Sequence, residues 1–228
     1  RVPRGLIQGQ KLTQVLRRET VRVAGVTDFD RLPVPFRAVA TDLETGARRV
    51  LAGGDLTQAL RASMSAPGVF APVELDGRLL VDGGLVENLP VDIAKEMGVD
   101  LVIAVDVGFQ PVGRKELNSA LAVSNQMLTI MMQRETARQR ALLGERDLLI
   151  DPALGVMQST DFSDAANTIR VGSNAARAQA GRLAALGFDE ARWADYVAAR
   201  SGAAGLPEIQ FVRVDERSER YRERIEAE

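Results

Sequence analysis

The residues in this sequence with the clearest chemical potential are Asp82, Gly83 and Gly84, which directly follow the apolar run at 79–81. The sequence contains no His and no Cys, so an imidazole base, a thiol nucleophile and the soft metal ligands are excluded. A hydrolytic reaction in this protein therefore needs a carboxylate as its base. We predict that Asp82 is that carboxylate and that the two glycines complete a catalytic loop.

An aspartate can take the proton of a serine hydroxyl directly, which replaces a catalytic triad by a two-residue arrangement. The glycines would let the chain turn sharply and let a substrate approach closely. The alternative is that Asp82 only begins a turn after a strand, as we predict for Asp76 and Gly77. The context favours the catalytic interpretation, because an apolar pair, Asn88 and a helix that starts at Pro90 follow.

The composition indicates a globular protein. Its 228 residues are 46% hydrophobic and 26% charged, which suffices for one sizeable domain with an appendage. The net charge of −2 and the pI of about 5.5 argue against a nucleic-acid partner. We predict neither a cofactor nor a metal ion. The cysteine-free composition suits both a reducing cytosol and an exported bacterial protein, so it leaves the compartment open.

Strand and helix patterns alternate along the chain and predict an α/β fold. Two hairpins are expected, at 36–51 and 73–81, the second with its turn at Asp76 and Gly77. The apolar run at 101–107 predicts a strand buried on both faces, as in a parallel sheet. The other expected elements are a helix from 56 to 66 capped by Asp55, helices over 90–97 and 115–143, a strand at 148–150, and helices over 163–186 and 189–200.

The composition changes after residue 200. Residues 201–205 are small and suit a linker, and residues 206–214 alternate apolar and polar side chains like a strand. A stretch rich in Arg and Glu follows to residue 228. We therefore expect a main domain over 1–200, a linker over 201–205 and the start of a second module over 206–228.

Three stretches resemble a known family. Residues 59–73 read ALRASMSAPGVFAPV, residues 80–91 read LVDGGLVENLPV, and residues 40–46 read ATDLETG. Together they resemble bacterial patatin-like phospholipases. The resemblance implies a three-layer α/β fold with a central, mostly parallel sheet flanked by helices. It also implies a metal-independent serine–aspartate dyad that hydrolyses acyl esters of lipids, with Asp82 as the aspartate and Gly83 and Gly84 as its motif partners.

The resemblance places the serine of the dyad in a Gly-x-Ser-x-Gly elbow and the oxyanion hole in a glycine-rich loop. Neither pattern occurs in the sequence, and we expect both upstream of residues 5–9. Ser63 and Ser65 read better as small polar residues near a helix end, so we assign no nucleophile. We expect residues 1–200 to be the C-terminal portion of a lipid acyl hydrolase domain that is inactive alone.

The stretch 208–217 resembles the opening of the polypeptide-transport-associated domains that precede outer-membrane barrels. A patatin-like domain followed by such a module resembles phospholipase autotransporters, which implies an outer-membrane or secreted protein. A cytoplasmic esterase is the alternative. The implied partners are a phospholipid or another acyl ester, taken from a membrane surface, and a homo-oligomer is possible.

Three further polar residues leave two interpretations open. Asp42 and Asp106 lie at predicted strand ends, where they could line a ligand crevice or bind loop N–H groups. We favour the hydrogen bonds to loop N–H groups. The amide of Asn88 could orient the catalytic loop or cap the helix that follows it.

The long helix over 115–143 supports a different class of function. Its residues Met127, Met131 and Met132 could form an adaptable acyl-chain groove or a partner surface, although a core stripe is favoured for most of them. If the groove is present without the dyad, the chain is a non-catalytic lipid-binding or protein-binding module. This is the alternative to the hydrolase.

Overall fold

The computed structural model describes residues 9–67, 69–155 and 164–201. Nearly all of the predicted linker, and all of the predicted module at 206–228, lie outside the described residues. The helices are α1 Gln10–Thr20, α2 Leu56–Ser63, α3 Val91–Glu96, α4 Ala120–Arg140, α5 Ala165–Ala178, α6 Ala180–Ala184 and α7 Glu190–Ser201. The strands are β1 Ala38–Asp42, β2 Arg48–Leu51, β3 Val73–Leu75, β4 Arg78–Asp82, β5 Ile103–Val105 and β6 Leu148–Ile150. Single 3₁₀ turns lie at Val21–Val23, Phe29–Arg31 and Gly83–Leu85. The mixed α/β character is as the sequence predicts.

The main sheet has four antiparallel strands in the order β2-β1-β4-β3. This corrects the expectation of a mostly parallel central sheet for the part of the chain described. For the pairs β1–β2 and β3–β4 the cause is the short connection, since strands joined by a tight turn pair antiparallel. Gly46 (φ 70°) lies between β1 and β2, and Asp76 (φ 50°) and Gly77 (φ 70°) join β3 to β4. Both predicted hairpins are confirmed.

The second sheet pairs β5 with β6 in parallel, and α4 connects the two strands. This segment has the parallel, helix-connected arrangement that the apolar run predicts. The expectation of burial on both faces is wrong for the described structure. Ala104 is 5% exposed, but Ile103 and Val105 are 47% and 48% exposed, because their side chains lie on the face that no described element covers.

Apolar clusters fix both ends of the segment that carries Asp82. Leu80, two residues before it, is buried with Ala40 and Ala62, which joins β4, β1 and α2. Leu89, seven residues after it, is buried in a second cluster with Val91 of α3, Val102 and Ala104. The intervening loop therefore begins and ends in packed core, which restricts its motion.

The helix ends follow local chemistry. Asp55 Oδ1 caps α2 by accepting from the N–H groups of Thr57 (2.7 Å) and Gln58 (3.2 Å), as predicted. Ser119 caps α4, which is shorter than the predicted 115–143, and α3 begins at Val91. Within the described ranges, no helix combines the length and apolarity that a membrane span needs.

Candidate active site

The backbone of Asp82 is held on both sides at the end of β4. Asp82 is paired with Ala40 of β1, and its carbonyl oxygen accepts a hydrogen bond from Thr41 Oγ1 at 2.8 Å. Its N–H donates to the carbonyl oxygen of Ser65 at 3.1 Å. Two separate elements thus fix the Cα position from which the carboxyl group projects.

The Asp82 carboxyl group is half-buried, and one of its two oxygens accepts a hydrogen bond. Oδ1 accepts a hydrogen bond from the N–H of Gly84 at 2.8 Å. No donor among the described residues reaches Oδ2. Burial raises the pKa of Asp82, and the Gly84 hydrogen bond opposes that rise only in part. The group is therefore a stronger base than an exposed aspartate, with one oxygen free to accept a proton.

Gly83 is required because the loop passes directly over β1. A Cβ at this position would lie 2.3 Å from the carbonyl oxygen of Val39 and 2.6 Å from its carbonyl carbon. These are backbone atoms, so any side chain would push the loop and the strand apart. Neither Gly83 nor Gly84 has a positive φ, so close approach explains the motif better than the sharp turn that we expected.

Gly84 lies where three side chains meet. A Cβ on Gly84 would lie 3.0 Å from Asn88 Oδ1, 3.1 Å from Asp82 Oδ1 and 3.3 Å from Met132 Cε. The position therefore borders both the candidate base and the long helix α4. A larger residue would press on the Asp82 carboxyl group itself.

The two serines nearest in sequence have other roles. Ser63 is the last residue of α2. Ser65 is fully buried, and its Oγ donates to the Arg61 carbonyl oxygen at 2.7 Å and accepts from Arg61 Nη1 at 2.7 Å. Its hydroxyl group is thus occupied by Arg61, and only its backbone contacts Asp82. This agrees with leaving the nucleophile unassigned.

A cavity of about 280 Å³ lies beside this loop, between α4 and residues 106–110. Asn88 and Met132 line it, and both also border Gly84, so the cavity lies beside the loop that carries Asp82. The other lining residues are mostly polar: Asp106, Gly108, Phe109, Gln110, Thr129, Gln133, Thr136, Ala137, Arg140 and Asp151.

Asn88 belongs to the loop rather than to the next helix. Among the described residues Asn88 makes no hydrogen bond to α3, and the early N–H of Asp92 donates to Gln139 Oε1 of α4 at 3.1 Å. The Asn88 amide instead lies between Gly84 and Gly108. Of the two roles considered, capping is therefore wrong, and orientation of the loop is the one that its position permits.

The residues of this site lie in a segment that is similar to a known protein family. Residues 1–95 match the patatin-like phospholipase family. The matched range includes Asp82, Gly83 and Gly84 as well as the hairpins of the main sheet. The remaining residues, which include α4 and the second sheet, lie outside this patatin-like segment.

Curated relatives match over similar lengths. An uncharacterized NTE family protein of Mycobacterium tuberculosis is 38% identical over 109 residues, which is 48% of this chain and 29% of the relative. Patatin-like phospholipase domain-containing protein 7 of Mus musculus is 47% identical over 82 residues, 35% of this chain and 6% of the relative. Patatin-like phospholipase domain-containing protein 6 of Homo sapiens is 44% identical over 91 residues, 39% of this chain and 7% of the relative. The alignment with the mycobacterial relative thus spans less than a third of that protein's length.

Asp42, in the patatin-like segment, is a structural carboxylate. It is 1% exposed, and Arg78 Nη1 donates to its Oδ2 at 2.8 Å. The N–H groups of Glu44 and Thr45 donate to Oδ1 at 3.1 and 3.3 Å. The Arg78 hydrogen bond is the main cause that lowers the pKa of Asp42, against the effect of burial. The favoured interpretation, binding of loop N–H groups, is confirmed.

Asp106, beyond the patatin-like segment, also binds a loop N–H. Its Oδ1 accepts from the N–H of Gly108 at 2.8 Å, and its Oδ2 accepts from Arg140 Nε at 2.6 Å. Arg140 also donates to Asp151 at 2.7 Å. Asp106 nevertheless lines the cavity beside the loop, so both interpretations describe part of its environment.

The methionines of α4 do not form a core stripe. Met127 and Met131 are each 62% exposed, so that prediction is wrong for both. Met132 points toward Gly84 and the cavity. The helix presents apolar side chains outward because its apolar residues are spread around its circumference rather than along one face.

A cluster of charges in the patatin-like segment was not predictable from the sequence. Arg48 Nη1 of β2 donates to Glu87 Oε2 and, at 2.6 Å, to Asp92 Oδ2 of α3. Arg48 lies 39 residues before Glu87 and 44 residues before Asp92, so no local pattern could reveal its contacts with them. An acidic residue between the apolar Val86 and Leu89 is the one available signal. In the ranges that the structure covers, no group of three or more acidic side chains could hold a metal ion.

Proposed function

We propose that this chain is the aspartate-bearing part of a lipid acyl hydrolase, a carboxylic ester hydrolase that uses a serine–aspartate dyad. One observation carries the proposal. Asp82 presents a half-buried carboxyl group from a fixed strand end, within the residues that match the patatin-like phospholipase family. The N–H of Gly84 donates a hydrogen bond to one carboxyl oxygen of Asp82, so the other oxygen is left to accept the proton of a serine.

In the proposed mechanism, Asp82 removes the serine proton while the serine oxygen attacks the carbonyl carbon of the ester. Preorganised N–H donors stabilise the oxyanion. The C–O bond to the alcohol then breaks, and Asp82 returns the proton to the leaving oxygen. Water attacks the acyl-enzyme, its proton passes to Asp82, and the serine recovers a proton as the fatty acid leaves.

The environment of Asp82 supports this role. A carboxylate is a weak base for a hydroxyl group, and the barrier falls as its pKa rises toward the working pH. Burial raises the pKa of Asp82 in this direction. The two glycines keep side chains away from the carboxyl group, which leaves room for a serine and an ester carbonyl.

We place the nucleophilic serine outside these 228 residues, because the sequence contains no Gly-x-Ser-x-Gly pattern. The same holds for the glycine-rich oxyanion loop. Activity is then a property of a longer protein that carries both, and residues 1–228 alone give no turnover.

We propose a phospholipid or a related acyl ester as the substrate, delivered from a membrane surface. The cavity beside Gly84 is lined by both polar and apolar side chains, which suits an amphiphilic acyl ester. The exposed Met127 and Met131 offer adaptable apolar contacts for an acyl chain. Neither contact requires a metal ion or a cofactor.

We also propose that the longer protein completes the three-layer arrangement. Parallel sheets are normally covered on both faces, and β5 leaves Ile103 and Val105 half exposed. Further strands beside β5 and β6 would extend this sheet, and a layer of helices would cover its exposed face. The two strands would then have the central position that the family resemblance implies. A structure of the longer protein tests this directly.

The test of the proposed function compares two variants of the longer protein. Asp82→Asn keeps the size of the side chain but removes the base, so kcat on a phospholipid or a short-chain ester falls by about 10³–10⁴-fold. Asp76→Asn is the matched control, because it changes an Asp followed by Gly in an exposed turn whose φ of 50° asparagine tolerates. Full activity of Asp82→Asn would refute the assignment.

The exposed apolar side chains of α4 favour one other function, a non-catalytic lipid-binding or protein-binding module. In that case the longer protein binds phospholipid vesicles without releasing fatty acid. Replacing Met127 and Met131 by Gln would then abolish vesicle binding, whereas Asp82→Asn would change nothing. Release of fatty acid that depends on Asp82 excludes this alternative.

The cellular location also stays a proposal. The resemblance of residues 208–217 to transport-associated domains supports an outer-membrane or secreted protein, with a cytoplasmic esterase as the alternative. Fractionation of cells that express the longer protein distinguishes the two. Recovery in the outer-membrane or culture fraction supports the first, and recovery in the cytosol supports the second.

A further inference from the structure

We propose that Glu87 is a positioning residue, which holds the Asp82 loop in its working geometry through Arg48 and Asp92. This inference rests on the proposed function, because it takes Asp82 as the base. It concerns a residue that the motif itself does not single out. Glu87 does not contact the carboxyl group of Asp82 in the described hydrogen bonds, so it acts through the backbone of the loop.

A closed ring of contacts connects Glu87 to Asp82. The N–H of Glu87 donates to the carbonyl oxygen of Gly83 at 2.8 Å, next to Asp82 in the chain. The carboxyl group of Glu87 binds Arg48, which pairs with Thr41 across β1 and β2. Thr41 Oγ1 in turn donates to the carbonyl oxygen of Asp82 at 2.8 Å. The loop is thus tied to the sheet at Asp82 and again at Glu87.

The Glu87 carboxyl group is in an unusual setting. It is 4% exposed, and its Oε1 is buried without a hydrogen-bond partner among the described residues. A buried carboxylate oxygen without a donor is costly, so this geometry favours a proton on Glu87. The charged groups of the neighbouring elements that face it are Arg48 of β2 and Asp92 of α3.

The two carboxyl groups that bind Arg48 have very different pKa values. Burial raises the pKa of Glu87 to about 7, the hydrogen bond with Asp92 adds to the rise, and Arg48 opposes it. Burial also acts to raise the pKa of Asp92, but its hydrogen bonds with Glu87 and Arg48 outweigh this and lower it to about 2. At mildly acid pH, Asp92 is therefore ionised and Glu87 is protonated. Above neutrality, two carboxylates compete for one guanidinium.

The sign of the pH effect follows from these shifts. A carboxyl group with a raised pKa in the folded protein favours folding while it keeps its proton. That contribution is complete below the ordinary value of 4.5 and is lost as the pH rises through about 7. The folded arrangement around Glu87 is therefore favoured most below neutrality and less above it.

The test uses the longer, active protein. The wild type should show kcat/KM rising as Asp82 ionises, and then a decline near pH 7 as Glu87 ionises. Glu87→Gln keeps the shape and the neutral charge, so the decline should disappear while the activity at pH 6 stays within about twofold. Glu87→Ala should lower kcat roughly 10- to 100-fold with little change in KM, because the loop is displaced. Glu74→Gln, on an exposed position of β3, is the control and should match the wild type.

Direct titration separates this inference from the proposed function. In ¹³C NMR of the longer protein, the Glu87 carboxyl signal should titrate near pH 7 and Glu87→Gln should remove it. A decline in kcat/KM that persists in Glu87→Gln, or a Glu87 signal that titrates near pH 4.5, overturns the inference. Neither result bears on whether Asp82 is the base, which the comparison of Asp82→Asn with Asp76→Asn decides.

Discussion

Asp82 owes its setting to two neighbours without side chains. Gly83 lets β4 leave the sheet over the carbonyl group of Val39, and Gly84 turns its N–H toward Asp82 Oδ1. This close approach keeps the carboxyl group half-buried, and burial is the first cause of its raised pKa. The raised pKa of Asp82 therefore depends on the close packing of the Gly83 backbone against the backbone of Val39.

Replacing Gly83 tests this packing. Gly83→Ala places a methyl group 2.3 Å from the carbonyl oxygen of Val39, so β1 or the loop must shift. We expect the free energy of unfolding in urea to fall by about 1–3 kcal/mol. Gly25→Ala is the control, because no atom lies within 4 Å of a Cβ at Gly25. Equal stability of the two variants would show that the loop does not lie against β1.

At the scale of elements, the carboxylate of Asp147 connects the helix and the two strands that follow the Asp82 loop. Asp147 precedes β6, and its Oδ1 accepts from the N–H of Val102 at 2.7 Å, just before β5. Its Oδ2 accepts from the N–H of Gly144 at 2.8 Å and contacts Lys95 Nζ of α3 at 2.9 Å. These donors, with Gly144 the strongest, lower the pKa of Asp147 to about 2. Asp147 thus connects α3, β5 and β6.

The lowered pKa predicts a pH-dependent contribution to stability. A carboxylate with a depressed pKa stabilises the folded protein above its ordinary value of 3.8, and this is lost as the pH falls toward 2. Asp147→Asn should therefore lower Tm clearly at pH 7 and progressively less between pH 4 and pH 2. Asp100→Asn, at an exposed position, is the control and should follow the wild type. A Tm difference for Asp147→Asn that is constant with pH contradicts this account.

Elements were predictable where their signals are local. Asp76 and Gly77 have the positive φ angles of a hairpin turn, and Asp55 caps α2, as the residue types predict. The hairpin turns by themselves indicate antiparallel pairing, whereas the family resemblance implies a mostly parallel sheet, which is wrong for the four strands of the main sheet. The exposure of Ile103 and Val105 depends on what covers β5, which no local pattern encodes.

At the scale of the whole molecule, the sequence predicted the candidate base but not the network around it. Asp82, Gly83 and Gly84 are neighbours in the chain, so their motif is readable. The contact of Glu87 with Arg48 joins residues that meet only after β1 and β2 form a hairpin and β4 adds to it. Tertiary contacts of this kind determine the burial and the pKa shifts, which is why the sequence alone could not reveal them.

Two parts of the described structure meet beside the Asp82 loop. The antiparallel sheet and the Asp82 loop lie in the patatin-like segment, and the parallel strands β5 and β6 follow it. The cavity is formed where the two parts meet, between Asn88 and α4. A site at this junction gives the proposed hydrolase a base from the patatin-like segment and a substrate-binding wall from the residues that follow it.

The central claim is that Asp82 activates a serine. Its most direct test is the rate at which a fluorophosphonate labels that serine in the longer protein, because this reaction needs the activated nucleophile but no lipid. We predict that Asp82→Asn slows labelling by about 10³-fold or more, while Asp76→Asn labels at the rate of the wild type. Labelling of Asp82→Asn at the wild-type rate would contradict the account.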